Sequence, residues 1–511
     1  MAVHVVSFMP GNESEKEGVM NRLSAVVILA GMIIGGARGA EAAERDITGA
    51  VVKIYVVSAE RDYWTPWRRE APSAVYGSGC VIGGRRILTS AHVVADARFL
   101  IVKRAGTAEK YAARVRFVAH ECDLAILDVE DDNFFSGAEP LVPGDLVSPC
   151  DAVTVYGFPE GGEELSVTAG IVSRVEQNVY AHSRAQLLCA QIDAAINAGS
   201  SGGPVIRGQS LVGIAFQARK GENISYMVPA PVIRRFLRDL SDGRYDGIPS
   251  LEIKTQPLEN PDLRLKLGLV SEDLQFRGVA VSRIPHGSPA EGLLLPGDVL
   301  LAVDGRAVAY DGTVEFRPGE RTDFNFLVQE KDLGDAVELE IHRQGGRRKV
   351  RVKLSAPLNS TRLVPYLQYD QDPTFFIVGG FVFTPLTYNH LAQWQMDNMP
   401  PLRFIYYSEL AVRKAERLQV VILVQVLADE VNVGYHFLED EVIVEANGVR
   451  LKDFADLVRA VESNQGPYHE FVTETGFSVI LSREKAEARR EAILKNYAIV
   501  IDRSDDLRKR N

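Results

Sequence analysis

From residue 46 to residue 240 the chain is written in short apolar runs separated by glycine and polar turns: AVVKIYVV, GSGCVI, RILTSA, FLIVKR, DLAILDV, DAVTVYGF, AGIVSRV, LLCAQI, PVI and LVGIAF. Strands this short at this spacing, with no helical pattern between them, argue for a barrel or a sandwich and against a βαβ array. VIRRFLRDL, after Pro229 and Pro231, reads as a closing helix packed on this β-domain, and SDGRYDGIPS as the polar linker that follows it. The remaining residues must form further domains, because a chain of 511 residues is too long for one core.

Those residues carry an internal repeat. GDVLLAVDG (297–305) matches DEVIVEANG (440–448): an acid, an apolar run, then Asp-Gly or Asn-Gly at a tight turn. Further on, DFNFLV (323–328) matches DFADLV (453–458), placing Phe324, Leu327 and Val328, and likewise Phe454, Leu457 and Val458, on one helical face. The first copy inserts GTVEFRPGER between turn and helix. Two copies of one small α/β module are therefore expected. The tail REKAEARREAILKNY reads as an amphipathic packing helix with Ala488, Ala492 and Leu494 inward.

A net charge of -11 argues against nucleic acid as a partner, since phosphate binding needs a cationic face. The start, MNRLSAVVILAGMIIGGARGAEAAERD, has Arg22, an apolar run from Leu23 to Ile34 and small residues at Ala40 and Ala42. This is the order of a secretory signal peptide cleaved near Ala42, which predicts an exported, periplasmic protein with no stable membrane span after cleavage. The four cysteines, Cys80, Cys122, Cys150 and Cys189, show no zinc-ligand spacing. Disulfides and buried free thiols both remain open for them.

The stretch INAGSSGGPVI (196–206) is too closely bounded by apolar strands to be a linker, so its backbone must be defined. A serine there is a poor nucleophile unless a base and oxyanion donors stand beside it. LTSAHVV offers His92 just after a strand, and HECDLAILDV offers Asp123 at the head of another. A buried carboxylate at residue 123 could hold the imidazole Nδ1–H and set its tautomer. Asp128 competes but lies nearer the polar turn DVEDD. Ser200 competes with Ser201 but sits one residue too far from GGP, so it should point away from the site. Gly199, Gly202 and Gly203 allow a turn that aims N–H groups at a substrate carbonyl. The order His, Asp, Ser is that of the chymotrypsin architecture.

GSGCVIGGRRILTSAHVV, CDLAILDV, TAGIVSRV and NAGSSGGPVI resemble the HtrA/Deg family of trypsin-fold serine proteases, and the later segments GDVLLAVDGRAV, DGTVEFR and VNVGYHFLEDEVIVEANGV are similar to its two PDZ domains. The likeness is strongest to the branch known from plant organelles and nuclei. It implies a mainly β fold: a chymotrypsin-like double β-barrel protease domain (46–242) followed by two α/β PDZ-like domains (255–356 and 360–482), with residues 483–511 as a terminal helix and tail. By position it makes His92 the general base, Asp123 its orienter and Ser201 the nucleophile, with the N–H groups of Gly199 and Ser201 as the oxyanion hole. The family usually has Asn where this chain has Ser200.

The resemblance further places the S1 pocket at Ala195 and Ile196, with Ile214, Ala215 and Phe216 on the other wall. No carboxylate lies among them, so small or medium aliphatic residues before the cut are expected rather than Arg or Lys. In the first PDZ-like module, FRGVAVSRI (276–284) resembles the carboxylate-binding loop, so a peptide C-terminus should add as a strand at Gly278, Val279 and Ala280. In the second, GGFVF (379–383) is followed by a long insertion that could occlude the groove, which favours an assembly role. Tyr63, Trp64, Trp67 and Tyr76 suggest contact with a neighbouring subunit in a trimer or multiple of trimers. The function implied is an ATP-independent endopeptidase acting on unfolded or damaged proteins, with no cofactor and no metal. A silent-protease chaperone or scaffold, and a regulatory protease with one native target, are the competing readings.

Overall fold

The computed structural model describes residues 47–218, 224–270, 274, 277–394 and 399–508; the apolar leader and its Ala40–Ala42 site lie outside them. Strands β1 (Val51–Ser58), β2 (Ser73–Ile82), β3 (Arg86–Thr89), β4 (Ala97–Arg104), β5 (Tyr111–Ala119) and β6 (Leu124–Val129) close a barrel in the order β1-β2-β3-β6-β5-β4. Strands β7 (Ala152–Gly157), β8 (Ser166–Val179), β9 (Gln186–Ile192), β10 (Pro204–Arg207), β11 (Ser210–Ala218) and β12 (Ser225–Pro229) close a second, in the order β10-β11-β12-β9-β8-β7. Period-2 alternation drives the closure: Val52, Ile54 and Val56 of β1 enter the core with Leu88, Leu100 and Ile126. The helix Ala230–Asp239 seals the domain by burying Ile233 and Phe236 in the same cluster.

The repeat folds as two related sheets. Val299–Val303 and Glu441–Ala446 are the matching strands, each turning back at its Asp-Gly or Asn-Gly to pair with Arg306–Ala307 or Val449–Arg450. The matching helices bury Phe324, Leu327 and Val328, and Phe454, Leu457 and Val458. The inserted GTVEFRPGER is a hairpin, Thr313–Arg317 with Glu320–Asp323, whose Arg317 guanidinium donates at 2.6 Å to Val147 O, in the connection that leads into β7. Arg238 reaches the same module through Asp332 at 2.9 Å.

Two sequence expectations change. The C-terminal helix Arg483–Asn496 buries Ala486 and Ile493, seven residues apart, while Ala488 faces solvent. Its inward face is set by the pocket of Phe375, Ile377 and Leu427 that receives Ile493. The aromatic loop before β2 packs within the chain: Trp64 lies 4.7 Å from Trp394 and 4.8 Å from His390, and Trp67 lies 6.0 Å from Phe375. The Trp64 indole packs on the insertion of this chain's own second repeat module, and the Trp67 indole on Phe375 and Ile377 ahead of that insertion.

Candidate active site

β3 ends at Thr89, Ser90 is extended, and one helical turn, Ala91–Val94, carries His92 at the mouth of the first barrel. Asp123 is fully buried at the head of β6, in a left-handed conformation with φ 54° that follows the short turn His120–Cys122. That conformation turns its carboxylate back towards residue 92. Oδ1 accepts from the His92 backbone N–H at 2.8 Å and Oδ2 meets Nδ1 at 2.7 Å. One carboxylate thus holds both the backbone and the ring of the same residue. With Nδ1–H committed to Asp123, Nε2 is left with its lone pair. Burial pulls the His92 pKa down, but the charge and hydrogen bond of Asp123 together outweigh it and leave it raised. Asp128 lies on the outer side of β6, within 4.0 Å of the Arg114 and Arg116 guanidinium groups.

Ser201 comes from the other barrel, on the loop between β9 and β10. Ser78 N donates to Ser201 O at 2.8 Å, and Gly202 N donates to Ala215 O at 2.7 Å. Gly202 has φ +82°, and a Cβ there would collide with Ser78 O, Thr89 Oγ1 and Ser90 N. The nucleophile loop therefore closes onto the segment two residues ahead of His92, and only glycine permits it. The Ser201 hydroxyl makes no hydrogen bond to another described residue, a looseness common in unliganded sites. Ser200 is buried beneath the loop, against Gly157.

The same loop presents donors. Glu160 N–H donates to Ala198 O at 2.5 Å, and Ser78 Oγ donates to Gly199 O at 2.7 Å while accepting from Phe158 N at 2.9 Å. In a planar trans peptide C=O and N–H point in opposite directions. Holding the Ala198 carbonyl on the 158–161 turn thus sends the Gly199 N–H the other way, away from that turn. Neither that N–H nor the Ser201 N–H engages an acceptor among the described residues. Gly199 has φ +91°, and a Cβ would strike Phe158 O.

A cluster that sequence reasoning missed borders His92. The His182 ring centroid lies 6.1 Å from that of His92, stacks on Tyr369 at 4.0 Å and 20°, and its Nε2 meets His120 Nδ1 at 2.9 Å. His120 Nε2 pairs with Asp370 Oδ2 at 2.8 Å, Asp370 Oδ1 accepts from Asp96 N at 2.7 Å, and Tyr369 OH donates to His182 O at 2.8 Å. Residues 369 and 370 lie in the second repeat module, ahead of its first strand Phe376–Val378, and this segment is thereby tied beside His92. Burial holds the His182 pKa down at about 3, so that ring stays neutral. The only sequence signal was the pair of histidines in AHECD and YAHSR.

Of the five residues expected to line S1, Ile196 and Ala215 share a cluster with Ile192 and Met227, while Ile214 and Phe216 point to the opposite face of β11, into the core beside Tyr180. Ala195 is exposed. Of Gly278, Val279 and Ala280, the last two open Val279–Arg283, a strand that pairs with Lys254–Gln256 on one side and Val299–Val303 on the other. Ala280 alone is opposite both Gln256 and Val299, so no edge is open there. The outermost strand of that sheet is Lys254–Gln256. All four cysteines are free, with Cys80, Cys122 and Cys189 buried and Cys150 exposed. Among the described residues no group of three or more His, Cys, Asp or Glu is arranged to hold a metal, and no helix is long and apolar enough to cross a membrane.

Chemically, the arrangement offers an alcohol, an imidazole of fixed tautomer and two N–H groups with no acceptor among the described residues, the kinds of group acyl transfer uses. Residues 77–214 match the trypsin-like peptidase domain, and residues 249–354 and 364–506 each match a PDZ domain. The chain is 39% identical over 463 residues to Protease Do-like 2, chloroplastic, of Arabidopsis thaliana, covering 90% of this chain and 75% of that protein. It is 38% identical over 418 residues to Protease Do-like 4, mitochondrial, of the same plant, covering 81% of this chain and 77% of that protein. Among solved structures, the HtrA-type protease AlgW with decapeptide matches at 23% identity and TM-score 0.47, over 60% of this chain and 95% of that one. The compartments named for these relatives are organelles, in contrast to the periplasm expected from the N-terminal segment.

Proposed function

The chain belongs to the Do-like, or HtrA/Deg, family of serine endopeptidases with PDZ domains, and on that premise we propose that His92, Asp123 and Ser201 are the residues that cleave its substrates. The observation that carries this reading is the double hold of Asp123 on His92, at 2.8 Å and 2.7 Å, which leaves Nε2 as the one basic nitrogen beside the Ser201 loop. Ser201 Oγ attacks the scissile carbonyl carbon as its proton passes to Nε2. The oxyanion forms against the Gly199 and Ser201 N–H groups. Collapse of the tetrahedral species breaks the C–N bond, and Nε2 returns its proton to the leaving amine. Water then repeats the sequence on the acyl-enzyme, releasing the acid and restoring the alcohol.

Unfolded or damaged proteins suit this site because an extended backbone reaches the nucleophile loop without a shaped partner surface. The apolar side chains of Ile196 and Ala215 support a preference for aliphatic residues before the cut. In the first PDZ domain, the outermost strand Lys254–Gln256 is where a peptide end would add. Casein hydrolysis by the purified full chain should vanish in Ser201→Ala. Equal peptide release by both proteins would remove Ser201 from the reaction and favour the scaffold reading.

A further inference from the structure

Lys53 is a fully buried lysine in the middle of β1. Alternation turns it away from the barrel interior, since Val52 and Ile54 are the core residues on either side. A side chain facing out from a strand is ordinarily solvated, and an ammonium is almost never fully buried unless paired. Its Nζ donates to Gly161 O at 2.6 Å and to Glu163 Oε1 at 2.8 Å, and lies 4.5 Å from the Tyr55 ring centroid. Glu163 is drawn to the same point by Lys103 at 3.1 Å and by Tyr55 OH at 3.2 Å. The Lys53 hydrogen bond is the largest cause holding the Glu163 pKa down, to about 2, so the carboxylate stays charged.

What Lys53 grips is the turn Pro159–Gly161, the turn whose Glu160 N–H holds Ala198 O. Glu160 sits at φ 52°, a left-handed conformation costly for a non-glycine residue and kept only where the surroundings impose it. Ser78, opposite Lys53 in the β1–β2 register, ties the other end of the turn to Gly199 through its hydroxyl. Two neighbouring side chains on β1 and β2 thus brace one turn at both ends, and that turn decides which way the Ala198–Gly199 peptide faces.

We propose that Lys53 is a positioning residue for the oxyanion hole: its ammonium clamps the Gly161 carbonyl, keeping the Glu160 N–H on Ala198 and the Gly199 N–H aimed at the substrate. A buried cation paired to an exposed carboxylate is weak evidence for a stabilising role, since apolar replacements at the buried position often serve stability as well. A geometric role explains why a lysine stands there. The inference rests on the reading of Gly199 and Ser201 as oxyanion donors.

The test is Lys53→Met in the full chain, a substitution that keeps the length and packs in an apolar site. Rates on a fluorogenic peptide are expressed per titrated active site, so loss of folded protein does not count as loss of function. Deleting an oxyanion donor outright lowers kcat about 10²–10³-fold, so loosening one should lower it about 10–100-fold, with KM changed less than about threefold. Binding of a peptidyl boronic acid, whose tetrahedral adduct needs the hole, should weaken by a similar factor, while a cleaved product peptide binds as before. Lys53→Arg, which can still reach Gly161 O, should recover part of kcat. If Lys53→Met yields too little folded protein, Glu163→Gln at the exposed end of the pair should show a smaller loss in kcat with the same constant KM. Wild-type kcat per titrated site in either variant, while Ser201→Ala is inactive, would overturn the proposal. Retained activity in Ser201→Ala would instead overturn the reading beneath it.

Discussion

Asp123→Asn is the substitution whose consequence the geometry fixes most tightly. The carboxylate accepts two bonds from one residue, from His92 N at 2.8 Å and from Nδ1 at 2.7 Å. An amide of the same size can keep only one of them as it stands. With its oxygen on the backbone N–H, its NH₂ faces Nδ1, and the ring must offer a lone pair there. The ring proton then moves to Nε2, the atom that has to accept a proton from Ser201. With the amide reversed, two donors face each other at the His92 backbone, and Asp123 is too buried for water to relieve the conflict. The fold has little reason to change, so the cost falls on the chemical step. A base locked in the wrong tautomer costs about 10⁴-fold in kcat, or about 5 kcal/mol at 1.36 kcal/mol per decade. The assay is kcat on a fluorogenic peptide at pH 8, with circular dichroism and thermal melting as controls for folding. A variant with a native melt and kcat within tenfold of wild type would refute the reasoning.

The pH profile follows from the same pair. The neutral imidazole is the active form, and Asp123 raises the His92 pKa, so kcat/KM should fall as pH drops through a midpoint above the ordinary 6.5. His182, held near 3, adds no second limb, and a midpoint below 6 or a flat profile from pH 5 to 8 would contradict this.

The site was legible where its chemistry lies beside a strand that declares itself. His92 follows an apolar strand, Asp123 heads another, and GSSGGP interrupts two more, so local pattern was enough to find each. What stayed hidden depends on contacts between distant segments. Tyr369 and Asp370 meet His182 and His120 across 187 and 250 positions, and nothing local marks them. Lys53 lies inside AVVKIYVV, where alternation alone would send it to solvent; only the 158–163 turn laid across β1 makes it a buried cation. The two-sided pairing of Ala280 in the first PDZ domain was hidden for a related reason. An apolar run such as VAVSR looks the same whether it is an edge or an interior strand, and register against Lys254–Gln256 decides between them. The same holds for the C-terminal helix, whose inward face was chosen by the pocket that receives Ile493.

The most direct measurement is the mapping of a covalent adduct. Full-length protein treated with a peptidyl phosphonate, which phosphonylates an activated serine and mimics the acyl-transfer transition state, should gain one mass increment located on Ser201. Labelling should collapse in His92→Ala. An adduct on another serine, or undiminished labelling without the imidazole, would contradict the account.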